Sequence, residues 1–208
     1  MIDAALFDFS GVLTTSPWAD IGAVGGEGMS KDDVLAFMVG PYDQDTDHLW
    51  HQLERGELSI GDWWVACNAA AEAQGLDIDL TGMAAVLRNL KVHDVVVEHV
   101  RALRAAGVRT ALVTNNIKEG SDSWRALIPV DELFEVVVDS SYVGMRKPNP
   151  AIYLHALDLL GGVDPARAVH LDDMPGNVAG AQQAGLHGIL VDPDDPRPAL
   201  EELDRLRS

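Results

Sequence analysis

The chain has 208 residues, 47% hydrophobic and 23% charged, which suits one α/β domain with a sizeable insert, or two small domains, and excludes extended disorder. A formal net charge of −18 repels phosphate backbones and anionic lipid, so nucleic acid and membrane surfaces are excluded as expected partners. A single cysteine, Cys67, excludes an intrachain disulfide and is expected to be a buried small hydrophobe; with no basic leader before Ile2 and no apolar run of membrane-spanning length, the expected location is cytoplasmic.

The apolar run Ala4-Ala5-Leu6-Phe7 predicts a buried strand that stops at Asp8 and is followed by a loop with Gly11. From about Thr15 to Lys91 the pattern is helical and offers no strand. Helices are predicted over Lys31–Val39 after the cap Ser30, over Asp47–Arg55, over Ile60–Gln74 between Ser59 and Gly75, and over Gly82–Leu90 after Thr81. Four of the five tryptophans, Trp18, Trp50, Trp63 and Trp64, fall in this stretch and are expected to pack the core of a small bundle. Downstream, strands are predicted over Arg109–Val113, Phe134–Val138, Ala168–Leu171 and Gly188–Val191, each followed by a polar residue. Helices alternate with them over Asp94–Ala106, from Pro150 to about Leu160 behind the cap Asn149, over Asn177–Ala184 and over Pro198–Leu206. That alternation predicts an α/β fold, a Rossmann-like parallel sheet of five strands flanked by helices, with the stretch 15–91 inserted as a helical domain into a core of 1–14 and 92–208.

In open parallel sheets ligands sit beyond the carboxyl ends of the strands, so the polar residues there should converge. They are Asp8, Thr114 with Asn115, and Asp172 with Asp173; Lys147 sits in the loop Met145-Arg146-Lys147-Pro148-Asn149-Pro150. Asp8 and Asp173 are hard oxygen ligands of the kind Mg²⁺ takes, while it keeps other positions for phosphate. Thr114 offers a hydroxyl and Lys147 a compact positive charge for a phosphoryl group, with Asp172 placed to orient the lysine. Singly, each aspartate reads as a turn former or helix cap.

Taken in order, these blocks resemble the haloacid dehalogenase superfamily. Asp8-Phe9-Ser10-Gly11-Val12-Leu13 is similar to its first motif, Leu112-Val113-Thr114-Asn115-Asn116 to its second, and Lys147-Pro148-Asn149-Pro150 to its third. Leu171-Asp172-Asp173, with Asn177 and Gly180-Ala181, is similar to its fourth. The inserted helices resemble the family's C1 cap, and the chain most resembles members akin to the N-terminal phosphatase domain of soluble epoxide hydrolase. The resemblance implies a Mg²⁺-dependent phosphatase of a small phosphorylated metabolite, as monomer or homodimer, with the first and fourth strands side by side. It implies Asp8 as nucleophile and metal ligand, the Ser10 carbonyl and Asp173 as further ligands, and Thr114, Asn115 and Lys147 on the phosphoryl group. Asp172 and Asn177 would support them from behind.

One position departs from the pattern. Phosphatases of this family usually carry an aspartate where Ser10 stands, as general acid and base. A serine hydroxyl is a poor substitute, and such help is typically worth about 10² to 10⁴ in rate. Two alternatives follow: a non-catalytic phosphate-binding or regulatory protein, and a dehalogenase, whose leaving halide needs no proton. Elsewhere, Thr14, Thr15 and Trp18 are expected at the cleft entrance, and Gly22, Gly25, Gly26 and Gly28 in a flexible loop of the insert. His48 and His51 are expected on a solvated helix face, His170 in the core, and the acidic stretch from Asp192 to Asp204 as a turn and a solvated helix face.

Overall fold

The structure, a computed structural model, describes residues 1–26, 28–81 and 90–207. The helix predicted over Gly82–Leu90 therefore lies, all but its last residue, outside the described residues.

Five strands form one sheet: β1 (Ala4–Phe7), β2 (Arg109–Thr114), β3 (Val136–Asp139), β4 (Ala168–Asp172) and β5 (His187–Leu190). Their order is β3-β2-β1-β4-β5, every pairing is parallel, and β1 and β4 are neighbours as expected. All four residues of β1 are buried, because alternate side chains enter two different cores. Ala5 and Phe7 face the cluster of Val96, Val100 and Leu103 from the helix Asp94–Ala105 and Leu200 and Leu203 from Arg197–Arg207. Ala4 and Leu6 face Ile152, Tyr153 and Ala156 from Pro150–Leu159 and Ala181 from Pro175–Gln183. Burying apolar area on both faces at roughly 25 cal/mol per Å² makes this sheet the anchor on which the loops at its carboxyl edge rest.

Differences from the expected elements have local causes. β3 begins at Val136 because Phe134 instead ends a short helix, Val130–Leu133, and its ring packs 6.1 Å from that of Phe7. Helices of four or five residues, Ser121–Arg125 and Ser140–Val143 among them, are too short for a 3.6-residue period to show in sequence. The helix expected from Asn177 starts at Pro175, whose missing N–H costs nothing at a first helical position.

Between β1 and the helix Asp94–Ala105 the chain forms a 3₁₀ turn at Pro17–Val24 and the helices α1 (Lys31–Met38), α2 (Leu49–Glu54) and α3 (Ile60–Gln74). Ser30 and Asp33 form a reciprocal cap on α1, Ser59 caps α3, and Gly75 ends it at φ +67°. These elements enclose a third apolar cluster that includes Ile21, Val34, Leu53 and Cys67. Trp18, Trp50 and Trp63 run through it with successive ring centroids 5.9 and 5.5 Å apart, whereas Trp64 is 38% exposed. Within the glycine loop two positions are close-packed: a Cβ at Gly25 would lie 2.4 Å from Val34 Cγ2, and Gly26 N–H donates to the Asp77 carbonyl at 2.7 Å, whereas a Cβ at Gly28 would meet open space.

Two further expectations are corrected. His51 is fully buried, since its Nδ1 accepts from the Thr46 N–H at 3.0 Å, and His48 caps α2 by accepting from Trp50 N–H at 3.2 Å. His51 therefore leaves the solvated face, while His48 stays partly exposed at the cap of the helix rather than on its face. Thr14 and Thr15 form the passage between sheet and insert: Thr14 bridges Val92, and Thr15 N–H donates to the Lys91 carbonyl at 2.9 Å. Among the described residues no helix is long and apolar enough to cross a membrane.

Candidate active site

The parallel register aligns Phe7 with Leu112 and Leu171, so Asp8 leaves β1 beside the ends of both neighbours. Its N–H donates to the Leu171 carbonyl at 3.0 Å. Asp8 Oδ1 accepts from the Phe9 N–H at 2.7 Å and from Lys147 Nζ at 2.7 Å. The same ammonium reaches Asp172 Oδ2 at 2.6 Å. Asp172 is saturated: His170 Nε2 also lies 3.0 Å from Oδ2, while Met174 N–H and Asn177 Nδ2 donate to Oδ1 at 2.9 and 3.0 Å. Asp8, Asp172 and Asp173 each place a carboxylate oxygen within 4.8 Å of the others. Gly11 takes φ +83° and lies so close to Asp173 that a Cβ would fall 2.1 Å from its Oδ2, so only glycine fits that turn.

Lys147 is held by its backbone as well as by its charge. Asn115 Nδ2 donates to the Lys147 carbonyl at 3.0 Å, and Lys147 N–H donates to Asn115 Oδ1 at 2.8 Å. The Asn115 amide thus clamps the lysine's loop, and a Cβ at Gly180 would lie 2.2 Å from the Pro148 carbonyl, so the helix Pro175–Gln183 presses on the same loop. Thr114 is buried at the end of β2, its hydroxyl 3.5 Å from the Asn115 carbonyl, a weak contact. The preceding Arg146 is fully buried and donates to Glu54 of α2 at 2.7 Å, joining the insert to the lysine's loop.

A cavity opens over these groups, lined by Asp8, Ser10, Asn115, Asp173 and Asn177 on one side. Trp18 lines it as expected; Tyr42, Trp50 and Glu54 from the insert join it and were not legible in sequence. Trp50 Nε1 and Tyr42 Oη both donate to Glu54 Oε1, at 2.8 and 3.2 Å, a contact set that only the tertiary fold creates. Asn116 and Met174 also line it, each adjacent to a predicted site residue, and adjacency was the signal available for them.

Residues 2–185 match the family model of haloacid dehalogenase-like hydrolases. The chain belongs to that family. It is 30% identical over 212 residues to acyl-CoA dehydrogenase family member 10 of Mus musculus, covering 98% of this chain and 19% of that protein. It is 27% identical over 222 residues to bifunctional epoxide hydrolase 2 of Rattus norvegicus, covering 97% and 38%. The chain therefore spans well under half the length of these two relatives. A sesquiterpene phosphatase of Aspergillus oryzae is 28% identical over 190 residues, covering 89% of this chain and 88% of that one. Among solved structures, a HAD-like family hydrolase from Porphyromonas gingivalis superposes with a TM-score of 0.72 at 23% identity, covering 99% and 98%. A HAD family enzyme from Bacteroides thetaiotaomicron, in complex with magnesium and inorganic phosphate, does so at 0.65 and 19%, covering 94% and 96%.

In this family member the electrostatics of the cluster are unbalanced. Burial pushes the Asp8 carboxyl up to about 7, with Asp172 adding to the rise and Lys147 opposing it. Burial, then the charges of Asp172 and Asp8, push Asp173 up to about 8. Burial alone would raise Asp172 too, but Lys147 and His170 outweigh it and hold that carboxyl below its usual range. Lys147 is raised: burial lowers it, but Asp172 and Asp8 prevail. Three carboxylates face one ammonium, a deficit of two positive charges when all are ionised. Hard oxygens in that deficit fit a divalent cation of the Mg²⁺ type.

Raised acids bind protons in the folded chain that the unfolded chain, titrating near 4, does not. Their stabilising contribution is complete below about pH 4 and is lost as pH rises through about 7 and 8. Asp173→Asn should therefore melt higher than the wild type in metal-free buffer at pH 8, by about 2–4 °C per kcal/mol relieved. Mg²⁺ should raise the melting temperature of the wild type and not of the variant. Thermal denaturation with and without Mg²⁺ checks both; a variant that melts lower and still responds to Mg²⁺ would contradict the electrostatic account.

Proposed function

We propose that residues 1–14 and 92–208 form a catalytic core, that 15–91 forms a helical cap over it, and that the chain is a Mg²⁺-dependent phosphatase of a small phosphorylated metabolite. We place it in the cytoplasm, as monomer or homodimer. The observation that carries this reading is the single ammonium of Lys147 bonded to Asp8 Oδ1 and Asp172 Oδ2, with the Asp173 carboxylate beside them. The phosphatase-named relative of similar length supports the same reaction class.

In this reading Asp8 is the nucleophile. Its Oδ1 carries the bonds from Phe9 and Lys147 and no donor among the described residues is bonded to Oδ2, so the carboxylate keeps capacity both to attack phosphorus with one oxygen and to hold a cation with the other. The phosphorus–oxygen bond to the leaving alcohol breaks, leaving an aspartyl-phosphate. Water then attacks that phosphorus, freeing inorganic phosphate and restoring the Asp8 carboxylate. Lys147, oriented by Asp172 and clamped by Asn115, neutralises charge on the transferring group, and Thr114 and Asn115 border it. Asp8, the Ser10 carbonyl and Asp173 would hold Mg²⁺, which when bound supplies Lewis-acid stabilisation of the phosphoryl oxygens. Asp172 takes no part in that ligation, because its oxygens already accept four donors. Asn177 belongs with it as support.

Ser10 gives the leaving alcohol no acidic proton, so the reading favours esters whose alcohols leave as stable anions. The same serine supports a second reading, a phosphate-binding protein without turnover. p-Nitrophenyl phosphate separates the two, since its leaving group barely needs protonation. The phosphatase reading expects Mg²⁺-dependent turnover that Asp8→Asn lowers by at least about 10³-fold while the fold persists. No turnover in the wild type, or full turnover in the variant, would reject it. Ser10→Asp should raise kcat/KM on alkyl phosphates by about 10-fold or more; an unchanged rate would mean that the proton comes from elsewhere.

A further inference from the structure

His170 lies in the middle of β4, two residues before Asp172, and is fully buried. Nothing in the reaction above uses it, yet its Nε2 sits 3.0 Å from Asp172 Oδ2, the oxygen that Lys147 Nζ approaches at 2.6 Å. The other ring nitrogen, Nδ1, has no hydrogen-bond partner among the described residues, and Oδ2 is a carboxylate oxygen already bonded by an ammonium, so Nε2 is the ring nitrogen placed to donate. The ring is itself fixed. Tyr153 packs edge-on with ring centroids 4.9 Å apart, and its hydroxyl donates to the Asn177 carbonyl at 2.7 Å. Asn177 in turn donates to Asp172 Oδ1 at 3.0 Å, closing a loop of buried contacts beneath the site.

We propose that His170 is a positioning residue for the reaction: by donating Nε2–H to Asp172 Oδ2 it fixes the carboxylate's rotation and leaves one direction on that oxygen for Lys147, so that the ammonium stays directed at Asp8. An oxygen with two lone-pair directions and one donor lets a lysine settle on either; a second donor removes the choice. The inference rests on the reading of Asp8 and Lys147 as reacting groups.

The test compares His170→Gln, whose amide nitrogen can stand where Nε2 stands, with His170→Phe, which keeps a flat ring and removes the donor. With p-nitrophenyl phosphate and saturating Mg²⁺, the Phe variant should lose about 10-fold in kcat with KM changed by less than about 3-fold, and the Gln variant should keep most of the wild-type kcat. A role in packing alone predicts the reverse order, and a Phe variant with wild-type kcat would overturn the proposal. A crystal structure of each variant supplies a readout that needs no turnover. In the Phe variant the 2.7 Å contact from Lys147 Nζ to Asp8 Oδ1 should open beyond hydrogen-bonding distance, and in the Gln variant it should persist. Both contacts of Nζ intact in the Phe variant would refute the positioning role even if the wild type proved inactive, an outcome that would reject the phosphatase reading by itself.

Discussion

Lys147 brings one positive charge into a buried place where three carboxylates meet, and much of the structure follows from keeping them there. Burying unpaired carboxylates is costly, and like charges in close proximity raise each other's pKa. The chain accepts that cost at Asp8 and Asp173 and avoids it at Asp172, which is given four donors. That asymmetry separates the roles. In the proposed reading, the carboxylate saturated by the protein orients Lys147, and the two left short of positive charge are the ones that would take a cation.

The sheet makes the arrangement rigid. Asp8 and the Asp172-Asp173 pair lie far apart in sequence, yet β1 and β4 are adjacent and in register, so their carboxyl ends deliver the three acids to one edge without loop flexibility. Lys147 comes from a loop instead, and needs more fastening: the two-bond clamp from Asn115, the close approach of Gly180 to Pro148, and the Arg146–Glu54 ion pair. That ion pair is buried on both sides, where removing one partner would leave an uncompensated charge. It makes the aromatic wall of Tyr42 and Trp50 part of the same hydrogen-bonded assembly as the lysine's loop.

What the sequence disclosed follows the same division. Strands at Ala4–Phe7 and Ala168–Asp172 were legible because short, doubly buried apolar runs ending in aspartate have few other readings. The helix Ile60–Gln74 was legible to the residue, since Ser59 and Gly75 mark its ends chemically. His51 was misread because its burial depends on the Thr46 turn, which no periodicity announces. Thr14 and Thr15 were misassigned because proximity in sequence to Asp8 says nothing of where the chain turns toward Lys91. Glu54 and Arg146, 92 residues apart, look like ordinary surface charges until the fold buries them against each other. His170 was legible as a core residue, but its hydrogen bond to Asp172 was not, since residues two apart on a strand usually share a face without touching.

The central claim is that Asp8 and Asp173 are held short of positive charge so that a divalent cation completes them. Anomalous diffraction from a crystal soaked in Mn²⁺, a Mg²⁺ surrogate with a strong signal, tests it most directly. The account predicts one strong peak between the Asp8 and Asp173 carboxylates, with Asp172 outside its coordination sphere. A peak ligated by Asp172, or none at this cluster while Mn²⁺ binds elsewhere, would contradict it.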